Sequence, residues 1–280
     1  MTEADVYAEE LKTQSIRDLA LAKKLVADKE SPEHIAWLCE QSYEKIVKHV
    51  FATYLSHSGA RVEVIDGKLR RASHGSAWRS TLEITKDVSR AYFRMILMDD
   101  NKLQARPIIG ESREVWHNFQ ESMERMLDTV TEMIELRYNN STFMQNFSQA
   151  SIAAFSNPLD PLPTMELLIR ANLESVKKNF SEGGFVKLTD LLLRLTRGYY
   201  DFVLRSVTLA PWLLPLAEAS RYPMPEYRSE NLKGFRDNQN QLIEYFSGVC
   251  NEVQKLVNAS SHFNEAMADL KRFMTPEKRP

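Results

Sequence analysis

The chain has 280 residues, of which 43% are hydrophobic and 26% charged, and this composition is typical of a folded globular protein with a substantial core. The formal net charge of −2 excludes a global positive field for nucleic acid, so any such site has to be a local patch. Nine glycines disfavour a turn-rich β protein, and two isolated cysteines are too few for a zinc site. The sequence contains no run of about 18 apolar residues, so no membrane span is predicted.

The first two predicted helices form an antiparallel pair joined by a short connection. The first covers residues 2–28, and Thr2 followed by Asp5 three residues later is close to a capping box. The second covers 32–57 and ends before Gly59, a residue that adopts the left-handed conformation at low cost. Because its apolar stripe is the broadest in the chain, we predict that this helix lies at the centre of an all-helical bundle.

The rest of the chain predicts further helices and no sheet. Residues 58–76 are expected to be a loop with a possible small hairpin at Asp66-Gly67, because this dipeptide favours a two-residue turn. Pro211 and Pro215 are expected to close off the penultimate helix. Apolar residues at three- and four-residue steps predict helices over 76–98, 111–138, 165–181, 186–209 and 228–258. The predicted fold class is therefore all-α.

Four segments resemble the HEPN family. WLCEQSYEKIVKHVFATY carries Gln41, Glu44, Lys45 and Lys48 at the positions of a Gln-x-x-Glu-Lys-x-x-Lys core that is frequent in the second helix of HEPN domains. IRDLALAKKLV is similar to the first helix of that family. His74 at the start of the third predicted helix and the tripeptide Arg-Tyr-Pro at 221–223, before the last one, are further similarities.

The resemblance implies an up-and-down helical bundle and a domain organisation. It covers roughly residues 3–98 and 188–258, so an additional helical region of about 99–187 is inserted into the HEPN-like bundle. We expect a single domain over 1–260. The remaining residues, 261–280, are expected to form a polar C-terminal tail.

The resemblance also implies a choice between two functions. The HEPN family contains metal-independent ribonucleases, often toxins, and inactive members that bind nucleotides or partners. Its nucleases use an Arg and a His with four to six residues between them, because the imidazole moves a proton while the guanidinium holds the phosphate. Here Arg113 and His117 have only three residues between them, so the nearest candidate pair is one residue short. Whether the chain is an enzyme stays open.

Five basic residues are candidates for phosphate binding. Arg70, Arg71 and His74, with Arg79, form a local basic patch near the predicted N-terminus of the third helix, a natural place for a phosphate. Arg221 in the Arg-Tyr-Pro segment is a further candidate. The alternative is that the loop arginines are solvated and that the tripeptide is structural.

No metal or cofactor is expected. Glu114-x-x-His117 resembles half of a ferritin-like site, but the chain has no second copy of that motif. Cys39 and Cys250 lie in apolar helical patterns, which predicts buried reduced thiols. With an acidic, polar N-terminus in place of a signal peptide, the expected location is the cytoplasm.

The leading functional hypothesis is a catalytically degenerate HEPN-like binding and assembly module. It would form a homodimer and engage RNA, a nucleotide or a protein partner such as a nucleotidyltransferase, without a membrane. The dimer is expected from the wide stripe on the fourth helix, formed by Trp116, Phe119, Met123 and Met126. The alternatives are a toxin-like ribonuclease that uses Arg113 and His117, and a helical scaffold unrelated to HEPN.

Overall fold

The computed structural model describes residues 2–71, 77–97, 113–138, 181–221 and 239–274, together with Glu166, Leu167, Ile169, Arg170, Leu173 and Lys177. These residues form helices and turns and contain no strand, which confirms the predicted all-α class. The long helices are α1 (Glu3–Ala27), α2 (Pro32–His57), α3 (Val62–Arg71), α4 (Ala77–Leu97), α5 (Arg113–Tyr138), α6 (Glu182–Arg221) and α7 (Gln239–Met274).

The α1–α2 hairpin forms as the local sequence predicts. Thr2 and Asp5 make a full capping box: the Asp5 N–H donates to Thr2 Oγ1 over 3.2 Å, and the Thr2 N–H donates to Asp5 Oδ2 over 2.7 Å. A sharp connection follows α1, with Lys29 at a φ of 54°. Beyond α2, Gly59 has a φ of 81°, the left-handed conformation that glycine adopts without strain.

Helix α2 is the centre of the bundle. It contacts α1, α3, α4, α6 and α7, and α5 packs outside it on α4 and α6. Side chains on several sides of α2 are fully buried, among them Ile35, Tyr43 and Ile46. A helix that is apolar over most of its circumference needs partners on more than one side, and these neighbours supply them.

The segment predicted as a loop with a possible hairpin is helix α3. Asp66 and Gly67 lie within α3, so the predicted turn is wrong. Ile65 and Leu69 are both buried, and their four-residue spacing places them on one helical face against the core. The burial of these two side chains decides the local structure against the turn preference of the Asp-Gly dipeptide.

The last two helices are longer than predicted. Helix α6 continues through Pro211 and Pro215 to Arg221, and Leu213 and Leu214 beyond the first proline are fully buried. Helix α7 continues to Met274, so the predicted boundary of a polar tail at residue 260 is wrong. Buried apolar residues recur past that boundary, namely Phe263, Ala266, Met267 and Leu270.

A polar aromatic stack joins α4 to α6 inside the core. The rings of Tyr92 and Tyr199 are stacked, with centroids 3.7 Å apart and planes at 3°. Their hydroxyls are paired, Tyr92 with Thr196 Oγ1 over 2.9 Å and Tyr199 with Ser89 Oγ over 2.7 Å. All of these groups are buried, and each therefore has the partner that a buried polar group requires.

Other predicted features lie partly or wholly outside the described residues. They are most of the predicted helix 165–181, the segment 139–164, most of the 99–112 break and the residues 222–238 before α7. The five helical residues between Glu166 and Leu173 fall within the predicted range. No helix in the described part of the chain combines the length and the apolar character that crossing a membrane requires.

Candidate functional site

A cleft of about 410 Å³, here called the cationic cleft, opens between α2, α3 and α4. Three helices supply its lining: Phe51, Tyr54 and Leu55 from α2 with Ser58 just after it, Lys68 from α3, and Asp87, Arg90, Ala91 and Arg94 from α4. The α4 residues recur at three- and four-residue steps, so they share one side of that helix. The cleft is thus formed where the charged side of α4 borders its buried stripe.

The floor of the cationic cleft is formed by apolar side chains that pack into the core. Phe51, Leu55 and Ala91 are buried against the bundle, and the Tyr54 ring is half-buried beside them. The Ser58 hydroxyl donates to the Tyr54 carbonyl oxygen over 3.0 Å, which ties the end of α2 to the preceding turn. A ligand with an apolar or aromatic part could lie on this floor.

Arg90 is held in place by two carboxylates. Its Nε and Nη2 each lie 3.2 Å from an oxygen of Glu124 on α5, and its Nη1 lies 3.3 Å from Asp87 Oδ1. The bidentate geometry gives the guanidinium a fixed orientation. The hydrogen bond from Arg90 lowers the pKa of Glu124, which keeps this carboxylate ionised and the pair intact.

Lys68 and Arg94 differ from Arg90 because neither is paired. Both side chains are exposed at the cleft, and neither makes a hydrogen bond or an ion pair to another residue in the described ranges. The three cations together with Asp87 and Glu124 leave a net charge of +1, three positive charges minus two negative ones. Two cations are therefore available to an anion, on a protein whose overall charge is negative.

The predicted catalytic pair lies elsewhere, on α5. Arg113 is the first residue of that helix, and its side chain is outside the described residues. His117 lies one turn later with 64% of its side chain exposed, and its Nε2 is 3.2 Å from Glu121 Oε1. The described surroundings of His117 thus provide a carboxylate on the same helix and open solvent.

The predicted phosphate patch is only partly within the described residues. Arg70 lies on α3 with 77% of its side chain exposed, and its Nε pairs with Asp66 Oδ2 over 2.7 Å. Side chains two residues apart on an α-helix point about 200° away from each other around the axis, so Arg70 and Lys68 face different directions. Arg71 ends α3, with its side chain outside the description, and His74 lies wholly outside it.

Arg79, another predicted phosphate contact, is not among the described residues that line the cationic cleft. Arg79 is exposed in the first turn of α4, eleven residues before Arg90 and therefore roughly 16 Å along the helix axis. Arg221 is the last residue of α6, and its side chain is outside the described residues.

Sequence reasoning missed the cationic cleft because its residues come from separate helices. Lys68 lies in a segment predicted as a loop, and Arg90 and Arg94 belong to an otherwise ordinary amphipathic helix. The one available signal was the recurrence of charge at Asp87, Arg90 and Arg94, which follows a single side of α4. That signal does not say which helix faces those residues.

Two further polar clusters are enclosed by the core. His49 on α2 donates from Nδ1 to the Ala8 carbonyl oxygen over 2.8 Å, and the Asn264 amide of α7 donates to its Nε2 over 2.8 Å. Burial lowers the pKa of His49, which is consistent with this neutral tautomer. Cys39 and Cys250 are buried free thiols with their sulfurs 3.5 Å apart.

Neither cluster is a metal site. In the part of the chain that the structure describes, no three His, Cys, Asp or Glu side chains come together as metal ligands. The Cys39 thiol has a raised pKa because it is hydrogen-bonded to Cys250 and buried, so it remains protonated at neutral pH. Both clusters therefore serve as links between helices.

Comparison with known proteins gives no match: no family model, no curated protein and no solved structure is similar to this chain. The HEPN assignment therefore depends on the sequence resemblance and stays a prediction.

Proposed function

We propose that this protein is a HEPN-like binding and assembly module that recognises a phosphate-bearing partner, RNA or a nucleotide, without cleaving it. The observation that supports it is the composition of the cationic cleft, in which cations surround an apolar floor and the described lining contains no histidine. Such a lining can neutralise phosphate charge. It lacks the group with a pKa near neutrality that proton transfer in RNA cleavage uses.

The surroundings of His117 favour binding over catalysis. A general base has to lie within hydrogen-bond reach of the proton that it removes, in a site that also orients the substrate. His117 is exposed, and its described partner is Glu121 on the same helix. A HEPN-like nuclease would have to complete this site across a dimer groove, so the ribonuclease remains the alternative to be tested.

An RNA cleavage and binding assay tests the proposal. Purified protein in EDTA is incubated with labelled single-stranded RNA, and binding of the same RNA and of labelled ATP is measured by fluorescence anisotropy. We expect saturable binding of at least one of these ligands and no cleavage. Removing a general acid–base group costs about a hundred- to ten-thousand-fold in rate, so His117→Ala identifies genuine catalysis.

Each outcome of that assay decides between the candidates. Cleavage in EDTA that His117→Ala abolishes, while the circular dichroism spectrum is unchanged, would establish the ribonuclease and overturn the binding module. Cleavage that survives in His117→Ala would overturn both the proposal and the predicted site. Absence of binding to RNA and to ATP would contradict a phosphate-bearing partner.

A further inference from the structure

The geometry of the cationic cleft points to a binding site for a phosphorylated small molecule. We propose that Lys68 and Arg94 bind the phosphate group and that the organic part packs against the Tyr54 ring, above the base formed by Phe51, Leu55 and Ala91. This site deepens the proposed function, because it assigns the phosphate-binding role to residues that the sequence analysis did not select.

The charges of the cleft favour a phosphate over a neutral ligand. Lys68 and Arg94 come from two helices, and neither has a partner among the described side chains, so their charges are not offset locally. Arg90 is already engaged by Glu124 and Asp87, so its charge is offset and it is not available to the ligand. A phosphate dianion would match the two unpaired cations and convert them into charge-assisted hydrogen bonds.

The shape of the cleft favours a small molecule over a polymer. Its volume of about 410 Å³ is at the lower end of the range for small-molecule sites, roughly 300–1,000 Å³. A polynucleotide would need a longer track of cations, since its affinity comes from neutralising several phosphates at once. Here the carboxylates of Asp87 and Glu124 stand beside the third cation and would oppose such a track.

The apolar floor defines the second half of the ligand. Phe51, Leu55 and Ala91 are only 5%, 6% and 4% exposed, so they close the base of the cleft and leave the Tyr54 ring as its main apolar contact surface. Tyr54 presents a half-buried ring next to this surface, and a planar base or other ring could pack on it. The expected class is therefore a phosphate ester of a small organic molecule that carries a ring, and nucleotides and sugar phosphates both belong to it.

Calorimetric titration of the full chain tests this assignment with four probes: inorganic phosphate, ribose 5-phosphate, AMP and ATP. We expect saturable binding of at least one ester and weaker binding of inorganic phosphate. Lys68→Gln and Arg94→Gln should each weaken ester binding by about tenfold or more, because each removes a hydrogen bond to a charged group. Asp87→Asn should strengthen binding, because it removes a negative charge from the lining.

Matched controls separate the site from general charge effects. Lys24→Gln and Arg17→Gln remove the same charges from exposed positions on α1 that are not part of the cleft lining, and they should leave the affinity unchanged. Lys68 and Arg94 have no partner within the described ranges, so their variants should keep the wild-type melting temperature. Tyr54→Ala should weaken binding of the nucleotides more than that of inorganic phosphate.

Several results would overturn the assignment. Equal affinity of wild type, Lys68→Gln and Arg94→Gln for RNA or a nucleotide would show that the cationic cleft is not the binding site. The proposed function would still stand. RNA cleavage together with Lys68-dependent binding of ribose 5-phosphate would support the small-molecule site and overturn the proposed non-cleaving function. Lys68-dependent binding of single-stranded RNA without binding of any ester would replace the small molecule by a nucleic acid. If inorganic phosphate binds as tightly as the esters, the proposed contact with the organic part of the ligand is rejected. If no probe binds, the proposed site at Lys68 and Arg94 is rejected.

Discussion

At the scale of residues, His49 joins three helices through its two ring nitrogens. It lies on α2, donates to the Ala8 carbonyl oxygen of α1 and accepts from the Asn264 amide of α7. Asn264 also donates to Thr53 Oγ1 over 3.3 Å, which extends the link along α2. A protonated imidazole would present a second N–H to the Asn264 amide, so the arrangement requires the neutral ring.

The His49 link predicts that stability decreases in mild acid. Burial lowers the pKa of His49 below its ordinary 6.5, and nearby Glu9 and Lys12 act in opposite directions on it. Below a pH of about 6.5 the unfolded state therefore binds more protons than the folded state, and stability falls until the folded pKa is passed. Urea unfolding at about pH 7.5 and about pH 5.5 should show this loss for wild type and a smaller loss for His49→Gln.

His34→Gln is the control for the pH experiment. His34 is exposed in the first turn of α2, so its variant should keep the wild-type loss of stability. The half-buried His57 also has a pKa lowered by burial, so part of the loss should remain in His49→Gln. Carboxylates such as Asp5, whose pKa is lowered by a hydrogen bond from Ser56, act only in stronger acid. An identical loss in wild type and His49→Gln would contradict the assignment.

At the scale of elements, α6 and α7 pack closely against each other at Gly198. A Cβ atom added to Gly198 would lie 2.8 Å from the Cα atom of Phe263 and 3.0 Å from its nitrogen. Both of these are backbone atoms, so the two helices would have to move apart. In contrast, a Cβ atom at Gly248 in α7 would meet nothing within 4 Å.

These two glycines predict opposite effects of the same substitution. Ala is about 1 kcal/mol better than Gly in a helix interior, so Gly248→Ala should raise the free energy of unfolding by roughly 0.5–1 kcal/mol. Gly198→Ala should lower it by about 1–3 kcal/mol, because overpacking against a fixed backbone outweighs the helix preference. Urea unfolding of both variants measures the difference. A stabilising Gly198→Ala would show that the helices are not in contact there.

Prediction of the elements succeeded where periodicity and local signals agree. Helix α2 has the predicted bounds, and α4 and α5 differ from their predicted ranges by one or two residues. It failed where a local signal opposed the helical spacing of apolar residues. Asp66-Gly67 favoured a turn at a place that lies inside α3, and Pro211 favoured a helix end at a place that lies inside α6. In both places apolar side chains bury against the bundle, and this tertiary packing is not visible in a short window.

The candidate site was harder to predict than the helices for a related reason. Arg70 was predicted from a run of basic residues, and Arg113 and His117 from their similarity to the Arg–His spacing of HEPN nucleases. Lys68 and Arg94 are 26 positions apart and share the cleft only because α3 and α4 both pack against α2. A site assembled by packing in this way has no local motif.

At the scale of the whole molecule, assembly is the untested part of the proposal. Met123 and Met126 on α5 are half-buried and pack against the core, while the side chains of Trp116 and Phe119 lie outside the description. Helix α5 is on the outside of the bundle, where it contacts α4 and α6. Its outer surface is thus placed where a second copy of the chain could dock.

We predict a homodimer with α5 in the interface. Light scattering at high micromolar concentration should give a mass twice that of the chain. Arg125→Glu on the exposed side of α5 should shift this mass toward the monomer, because it reverses a charge within the contact. Arg17→Glu at an exposed position on α1 is the control and should leave the mass unchanged. A monomeric wild type at that concentration would reject the prediction.

The position of α7 has a consequence for how the chain is made. Helix α7 covers α1, α2 and α6, yet it begins at Gln239 and is synthesised after all three of them. The α1–α2 hairpin is complete after about the first 60 residues and can form as soon as it leaves the ribosome, since domains form during synthesis from the N-terminus. Until Met274 has emerged, the complete α7 helix is not available to cover the side of α2 that includes Cys39 and His49. Nascent chains that stall before that point would expose a long apolar surface, and they would depend on chaperones to stay out of aggregates.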